Sequence, residues 1–268
     1  MDELRLVDIT PADCADLPCC GIKNRTHPGK KLKNCWFERH YQDGLRAKVL
    51  LTPESRQVAY IEYLPGQVAW RGVDAKGYMF VHCLWSSVKK YKQQGLAGML
   101  LDACLAEART AGMKGVAAVA RDAPWLAGPA VFLKNGFESV AQSPPDYQLM
   151  VRKLKPVYKD PKFERDFEFK LKEYQSALTI IRSDQCPHIA KFADEIEESA
   201  RVDFGLVPEV VRLKSHTDAR CAPTPYAVFA LIYHGKLIAD HPVSRTRFRN
   251  IMMKIRSKPL SLRVLSAR

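Results

Sequence analysis

A short glycine-containing segment between a predicted strand and a predicted helix constrains this chain most. Residues 81–85 are apolar and read as a strand, and an apolar helical periodicity begins at Leu96 and ends at Gly112. Between them lies the segment Lys92-Gln93-Gln94-Gly95-Leu96-Ala97-Gly98, whose small residues leave main-chain amides accessible. Because the first amides of a helix lack intrahelical acceptors, such a strand–loop–helix unit binds anions. We therefore expect an α/β fold with a diphosphate-sized cradle at this helix start.

The composition is that of an ordinary globular chain. Its 268 residues suffice for one large domain or two small ones. No apolar run approaches the roughly 18 to 20 residues of a bilayer-spanning helix, and the amino terminus lacks a signal-peptide pattern. Eight cysteines in a chain of this length do not make a dense disulfide framework, so reduced thiols are expected. The sequence predicts a cytoplasmic protein without a membrane partner.

The formal net charge of +13 is concentrated near the carboxy-terminal end. The segment from His241 to Arg268 has many arginines and lysines and no acidic residue. Such a segment either contacts nucleic-acid phosphates or forms a solvated helix face with a frayed end. Because no nucleic-acid-reading motif is recognisable, we expect the solvated face.

Two prolines mark the best boundary between structural units. Pro156 and Pro161 bracket a charged stretch, and each disfavours helix in the residue before it. We predict a first domain over 1–155, a linker with a connecting amphipathic helix over 156–175, and a second domain over 176–268. The prediction of the connecting helix is based on four apolar residues at helical spacing, namely Phe163, Phe167, Leu171 and Tyr174.

Hydrophobic periodicity predicts a different element order in each unit. The first unit has predicted strands at 46–51, 58–63, 78–85, 115–121 and 148–153. Its predicted helices are 36–43, 96–111 and 130–135. The second unit has, in order, strand 178–182, helix 187–204, strand 208–213, a helical piece at 216–221, strands 226–233 and 236–240, and a helix from Ser244. This order is a βαβ unit followed by a hairpin and a helix.

The glycine segment and its surroundings resemble the GNAT superfamily of acyl-CoA-dependent N-acetyltransferases. The pyrophosphate loop of that superfamily has Gln or Arg, two residues, Gly, one residue, then Gly or Ala, and Lys92, Gly95 and Ala97 fill these places. The segment Phe132-Leu133-Lys134-Asn135-Gly136-Phe137 looks like the superfamily's helix-to-strand element. The resemblance implies a mixed, mostly antiparallel sheet and direct transfer of an acetyl group from acetyl-CoA to an amine.

The same resemblance implies where CoA binds. In that fold the strand before the loop splays from its neighbour, and its main chain holds the pantetheine arm, here at Cys83, Leu84, Trp85 and Ser86. The diphosphate is implied at Lys92, Gln93, Gln94, Gly95, Leu96, Ala97 and Gly98. Phe132 is implied to lie beside the cofactor, at the place where many members of the superfamily have a tyrosine that acts as the general acid. Either water or another donor serves as the acid, or the thiolate leaves unassisted, or the domain binds acyl-CoA without efficient transfer.

Two residues are candidates for the general base. His82 lies on the strand next to the cofactor and has an unperturbed pKa of about 6.5. Glu62, with Tyr63 on an earlier strand, could act through water. Each residue also has a structural alternative to a catalytic role. His82 would then be a core histidine whose hydrogen bonds are satisfied, and Glu62 would form an ion pair with Arg71.

The acceptor is expected to be a small-molecule or protein amine. Trp70, Arg71 and Asp74 lie between two strands and either contact this substrate or belong to a hairpin turn. The segment holding Cys14, Cys19, Cys20 and Cys35 lacks the paired spacing of zinc sites, so we expect an ordered loop and no metal.

The second unit places Cys186 between a strand and a helix. With Pro187 at the first helical position, this resembles the active corner of thioredoxin-like folds, although Ile189 takes the place of the resolving cysteine. The segment Ala222-Pro223-Thr224-Pro225 resembles the cis-proline loop, with Pro225 expected to be cis. Nearly all of the chain, up to about Lys254, resembles the bacterial two-domain acetyltransferases of the YoaP-like type. The alternative function is a monothiol redox or thiol-binding protein whose first domain senses acyl-CoA.

Overall fold

Two β-sheets organise the chain. The structure, a computed structural model, describes residues 4–14, 22, 24, 26–86, 95–156 and 159–257. The first sheet consists of β1 Arg5–Ile9, β2 Arg46–Leu51, β3 Gln57–Pro65, β5 Met79–Ser86, β6 Gly115–Ala120, β7 Glu138–Ser143 and β8 Tyr147–Lys153. Their order is β1-β2-β3-β5-β6-β8-β7, and only β5 and β6 are parallel neighbours in it. The predicted mixed, mostly antiparallel sheet is confirmed.

Helices cover both faces of this sheet. They are α1 Pro28–Tyr41, α2 Leu96–Thr110 and α3 Pro129–Lys134. Alternate residues of β6 divide between two cores, because Ala118 and Ala120 pack with α2 whereas Ala117 and Val119 pack on the side of α1 and the second sheet. The face opposite α2 is therefore the one that meets the rest of the chain.

Helix α1 begins eight residues earlier than predicted. The ring Nδ1 of His27 accepts a hydrogen bond from the Gly29 amide at 3.1 Å, and Pro28 stands at the first helical position. Lys30 and Lys33 are buried, so the inward stripe of this helix includes charged residues. A stripe that contains lysines does not register as an apolar periodicity, which explains the late predicted start.

The connecting segment is only in part helical. A short antiparallel pair joins β4 Val73–Asp74 to β9 Lys162–Phe163, and α4 covers Phe167–Leu171. The prediction of one amphipathic helix through Phe163 and Tyr174 is wrong. Asp166 before α4 has a φ of 62°, a left-handed conformation that a continuing helix excludes.

The second sheet has the order β11-β10-β12-β13. Its strands are β10 Thr179–Arg182, β11 Glu209–Arg212, β12 Phe229–Tyr233 and β13 Lys236–Ala239. β10 is parallel to β11 and antiparallel to β12, which pairs antiparallel with β13. The helices are α5 Pro187–Phe204, α6 His216–Cys221 and α7 Arg245–Arg256. The predicted βαβ unit, hairpin and final helix are all present.

The loop before β12 corrects the prediction of a cis proline. Among the described peptide bonds the cis bond is Pro144–Pro145, and the bond to Pro225 is trans. The hydroxyl of Thr224 instead accepts a hydrogen bond from the Ala227 amide at 3.0 Å, and Ala227 has a φ of 64°. These features turn the loop without a cis peptide.

The basic helix α7 packs against the acidic side of α5. Arg245 and Arg249 lie 3.4 and 3.5 Å from the carboxylate of Asp203, and Arg256 donates to the Phe204 carbonyl at 2.9 Å. Part of the carboxy-terminal basic charge is therefore neutralised within the protein. In the part of the chain that the structure describes, no helix is both long and apolar enough to cross a membrane.

The two sheets share one hydrophobic core and close contacts. α1 packs against α5, where a Cβ at Gly29 would overlap the Pro187 carbonyl oxygen. The Gly72 amide donates to the Pro225 carbonyl at 3.2 Å, and Trp125 Nε1 donates to the Pro242 carbonyl at 2.8 Å. The second unit thus covers the face of the first sheet opposite α2.

Candidate functional site

A narrow cleft of about 10 Å³ opens where β5 and β6 separate. The two strands pair only from Met79 with Val116 to Val81 with Ala118, whereas β5 continues to Ser86 along its other neighbour, β3. The residues that line the cleft are Val81, His82, Cys83, Leu84, Val119, Trp125, Leu126, Ala127 and Phe132. The main chain of β5 beyond Val81 therefore lies outside the ladder with β6, as the predicted splay requires.

The predicted pantetheine-binding residues lie on this separated part of β5. Cys83 and Leu84 line the cleft, and Trp85 stacks on Tyr60 with ring centroids 6.5 Å apart. Ser86 is the last residue of the strand. Phe132 is buried at the cleft wall, against Phe137 at 5.4 Å.

The start of α2 has the backbone geometry of an exposed helix terminus. Gly95 is the N-cap with a φ of 77°, and a Cβ there would meet no atom within 4 Å, so glycine is needed for its conformation and not for space. Leu96 is buried, and Ala97 and Gly98 are half-buried. A Cβ at Gly98 would come within 2.8 Å of the Asn135 side-chain oxygen. Lys92, Gln93 and Gln94 lie outside the described residues.

Glu62 is the centre of a buried polar cluster. One carboxylate oxygen pairs with the Lys33 ammonium and accepts a hydrogen bond from the Tyr60 hydroxyl at 2.7 Å. The other oxygen accepts a hydrogen bond from the Gln185 amide of the second unit at 2.9 Å. Burial alone would raise the pKa of Glu62, but Lys33 and His82 beside it hold that pKa well below its ordinary value. Glu62 is therefore an ionised carboxylate at neutral pH.

His82 lies beside this carboxylate. Its Nε2 accepts a hydrogen bond from the Trp70 amide at 2.9 Å, which places the proton of the neutral ring on Nδ1. Nδ1 faces Glu62 Oε1 at 3.7 Å, beyond hydrogen-bond range. Burial lowers the pKa of His82 to about 4, against the opposing effect of Glu62. The ring is thus neutral at pH 7, with its lone pair engaged by a main-chain amide.

Trp70 and Arg71 form a closed wall next to His82. Both are buried, and Arg71 donates to the carbonyls of Trp70 at 2.8 Å and His82 at 2.9 Å. Trp70 packs edge-on against Trp36 at 5.4 Å. The alternative in which Glu62 pairs with Arg71 is wrong, because Lys33 occupies that place.

Tyr63 and Asp74 lie apart from Glu62. Tyr63 is on the opposite face of β3, in the core beneath α2, where burial raises its pKa. Asp74 accepts from the Lys76 amide at 3.4 Å, which is the hairpin-turn alternative. The structure therefore brings His82 and Glu62 together and does not bring Tyr63 or Asp74 to them.

Sequence reasoning missed three members of the cluster. Lys33 is one helical turn from Trp36 and Phe37, so an earlier α1 start would have placed it on the buried stripe. Tyr60 precedes Glu62 by two residues and shares its strand face. Gln185 had no local signal, because its contact with Glu62 joins residues 123 positions apart.

Cys186 lies at the N-cap of α5, next to the same region. Its neighbour Gln185 contacts Glu62, and His188 packs against the cleft residue Trp125 at 5.3 Å. Cys186 and the other described cysteines form no disulfide with one another. Within the described ranges no three acidic, histidine or cysteine side chains gather as metal ligands, and Cys19 and Cys20 lie outside those ranges.

The chain is 26% identical over 237 residues to the N-acetyltransferase YoaP of Bacillus subtilis (strain 168), which is described as uncharacterized; the match spans 87% of this chain and 92% of YoaP. The YoaP-like family matches residues 209–250.

Two solved structures are similar to part of the chain. A GNAT family acetyltransferase from Brucella melitensis in complex with acetyl-CoA has a TM-score of 0.37 and 15% identity, over 62% of this chain and 97% of that one. The GNAT family N-acetyltransferase YhbS from Escherichia coli in complex with CoA has a TM-score of 0.38 and 19% identity, over 55% and 81%. The chain is thus similar over most of its length to an N-acetyltransferase, and within residues 209–250 to the YoaP-like family.

Proposed function

We propose that this protein is an acetyl-CoA-dependent N-acetyltransferase of the GNAT type, acting on an amine by direct transfer. The observation that carries the proposal is the cleft between β5 and β6, in the sheet against which α2 packs. The first amides of that helix have no intrahelical acceptors. The similarity to YoaP over 87% of the chain supports it independently.

CoA binding uses main-chain groups in this proposal. The pantetheine arm lies along residues 83–86 as an added strand, in the place that β6 leaves. The diphosphate binds at the amides of residues 95–98, where the dipole of α2 favours negative charge. Lys92, Gln93 and Gln94 extend this site. The acetyl thioester lies in the cleft beside His82 and Phe132.

The reaction needs an acceptor for the amine proton. The amine attacks the thioester carbonyl, a C–N bond forms, the C–S bond breaks, and the CoA thiolate leaves. His82 is the base when its Nε2 is released from the Trp70 amide, since the tautomer with Nδ1–H toward Glu62 leaves that lone pair for the incoming proton. The fixed charge of Glu62 stabilises the imidazolium. Phe132 donates no proton, so no side-chain acid acts at that position.

The second unit is a thioredoxin-like docking module in this proposal. Its βαβ unit, hairpin and helix, with Cys186 at the start of α5, support that assignment. Through Gln185 it fixes the orientation of Glu62, and through His188 it contacts the cleft residue Trp125. Its role is to form one wall of the path along which an acceptor approaches the cleft.

Calorimetric titration with acetyl-CoA and CoA tests the proposal, with two matched glycines as probes. Gly95 and Gly112 flank the same helix, both have positive φ, and a Cβ at either meets nothing within 4 Å. Ala at either position carries a similar backbone strain, but only residue 95 faces the diphosphate. We expect Gly95→Ala to weaken acetyl-CoA binding by about tenfold or more, a loss of roughly 1.4 kcal/mol, and Gly112→Ala to change it little.

The wild type supplies the decisive control. If the folded wild type binds neither acetyl-CoA nor CoA, the proposal fails. If Gly95→Ala and Gly112→Ala weakened acetyl-CoA binding equally, the diphosphate would not bind at the start of α2.

A further inference from the structure

A large groove separates the two units next to the cleft. Its volume is about 940 Å³, within the range of sites for drug-sized ligands. Four elements form its walls: α4, the Pro144–Pro145 turn, the loop 223–225, and the edge strand β13. We refer to it as the inter-unit groove.

The inter-unit groove lies on the sheet face opposite α2, where the cleft residue Val119 also packs. Val119 lines the cleft and Arg121 lines the groove, and they are two residues apart. Both are on the face opposite α2, because Val119 belongs to the core shared with the second unit and Arg121 lies over the ring of Tyr147 in that core. Two residues along a strand span about 7 Å. The groove therefore begins close to the position of the thioester.

On the flank of the cleft beside His82, the described side chains are buried. Trp70, Arg71, His82 and Glu62 are each at most 3% exposed. Their hydrogen bonds join them into the closed wall described above. An acceptor that reaches the cleft along the face opposite α2 would therefore approach from the groove side.

The lining of the groove is mainly apolar and rich in ring-bearing residues. Phe169 and Leu237 border the groove and are 64% and 36% exposed, so each presents apolar surface to a ligand there. Pro144, Pro145 and Pro223 contribute further apolar ring surface. Such walls favour a ligand with an apolar, preferably aromatic, body.

The charges around the groove favour a cation. Three acidic residues line the groove, namely Asp166, Glu168 and Asp240, and two basic ones, Arg121 and Lys172. The lining therefore has one formal negative charge in excess, although the chain as a whole has a net charge of +13. Arg121 is paired with Asp240 at 2.7 Å, and Lys172 lies over the Phe169 ring at 5.5 Å. Neither Asp166 nor Glu168 forms an ion pair with a described residue. These two carboxylates remain to attract an ammonium group.

We propose that the inter-unit groove is the acceptor site and that the acceptor is a primary amine on an apolar, aromatic body. This inference rests on the proposed function and specifies its substrate class. The aromatic body packs against Phe169 and Leu237, and the rim acids attract the ammonium form before a proton is lost and the amine enters the cleft.

Tryptamine is the probe, with ethanolamine as a small polar comparison. The test variant is Phe169→Ser and the matched control is Val207→Ser, because Val207 is a 79% exposed apolar residue outside the groove. Acetyl transfer is followed by CoA release, tryptamine binding is titrated directly by calorimetry, and thermal unfolding verifies that each variant is folded. Both substituted residues are exposed enough that folding is expected to survive.

We expect Phe169→Ser to raise the KM for tryptamine, and its Kd in the direct titration, by about tenfold. The kcat, the KM for acetyl-CoA and all values for Val207→Ser should stay within about twofold of wild type. Asp166→Asn with Glu168→Gln should weaken tryptamine binding and reduce its dependence on salt. Ethanolamine should be the poorer acceptor.

Two results would overturn the inference. One is a KM and Kd for tryptamine that Phe169→Ser leaves within twofold of wild type, and the other is no tryptamine binding at millimolar concentration. The failure of the proposed function is distinct from these. A protein that binds tryptamine through Phe169 but never binds acetyl-CoA would retain the groove as an amine site and lose the transferase assignment.

Discussion

At the scale of single residues, the cluster around Glu62 shows how a buried charge is made acceptable. A lone carboxylate in an apolar interior costs several kcal/mol, so Glu62 requires Lys33, and hydrogen bonds from Tyr60 and Gln185 saturate its oxygens. Because Gln185 belongs to the second unit, the stability of this charge depends on contact between the units. His82 is then held neutral next to a fixed anion.

The depressed pKa of His82 predicts a loss of stability in acid. Unfolded histidine binds a proton near pH 6.5, whereas the folded ring does so only near pH 4. The contribution of His82 to stability is present above about pH 6.5 and is lost as the pH falls from there to about 4. Urea unfolding at pH 7 and at pH 5 measures how much the free energy of unfolding falls between the two. We expect this fall to be about 2 kcal/mol smaller for His82→Gln than for the wild type.

His216 provides the control for this prediction, because it lies half-buried at the start of α6 and has no comparable polar cluster. His216→Gln therefore controls for the replacement of a histidine by glutamine outside the cluster around Glu62. Equal pH dependence of wild type and His82→Gln would show that His82 is not held neutral by the fold.

At the scale of elements, predictions were best where the signal was local. Helices α5 and α6 were predicted with the bounds that the structure has, and the first strand pair of the second sheet was within a residue. Pro187 at the start of α5 and Gly205 after its end are local signals of this kind. Four strands were not predicted, namely β1, β4, β7 and β9. β4 and β9 are only two residues long, and β1 and β7 are mostly exposed or half-buried and show no clear alternation.

For the candidate site too, the features with a local sequence signal were predicted and those that depend on distant contacts were not. The splay beyond Val81 was implied by the family resemblance, and the local strand–loop–helix pattern placed Gly95 at a helix start; its positive φ is a finding of the structure. The partners of Glu62 could not, because tertiary packing of α1 and α5 brings Lys33 and Gln185 to it from distant parts of the chain.

The contact between α1 and α5 predicts a strict requirement for glycine at position 29. A Cβ there would overlap the main-chain carbonyl of Pro187, which no rotamer change can relieve. We expect Gly29→Ala to reduce the free energy of unfolding by about 1–3 kcal/mol in urea titration. At Gly128 the nearest atom to a new Cβ is the side-chain oxygen of Asp122, which can move, so Gly128→Ala should cost much less. Equal costs would mean that α1 and α5 are not in such close contact.

At the scale of the whole molecule, the second unit is part of the site and not an appendage. It supplies Gln185 to the buried cluster, Asp240 to the pair with Arg121, and one wall of the inter-unit groove. An acetyl donor bound between β5 and β6 and an amine bound between the units would meet at the end of β6. This arrangement accounts for two sheets sharing one core.

The central claim is that the start of α2 and the separated edge of β5 hold a CoA thioester. A crystal structure of the wild type with CoA tests it most directly. The account predicts the diphosphate within hydrogen-bond distance of the amides of residues 95–98 and the pantetheine arm along residues 83–86. CoA bound elsewhere, or an empty cleft at saturating CoA, would contradict it.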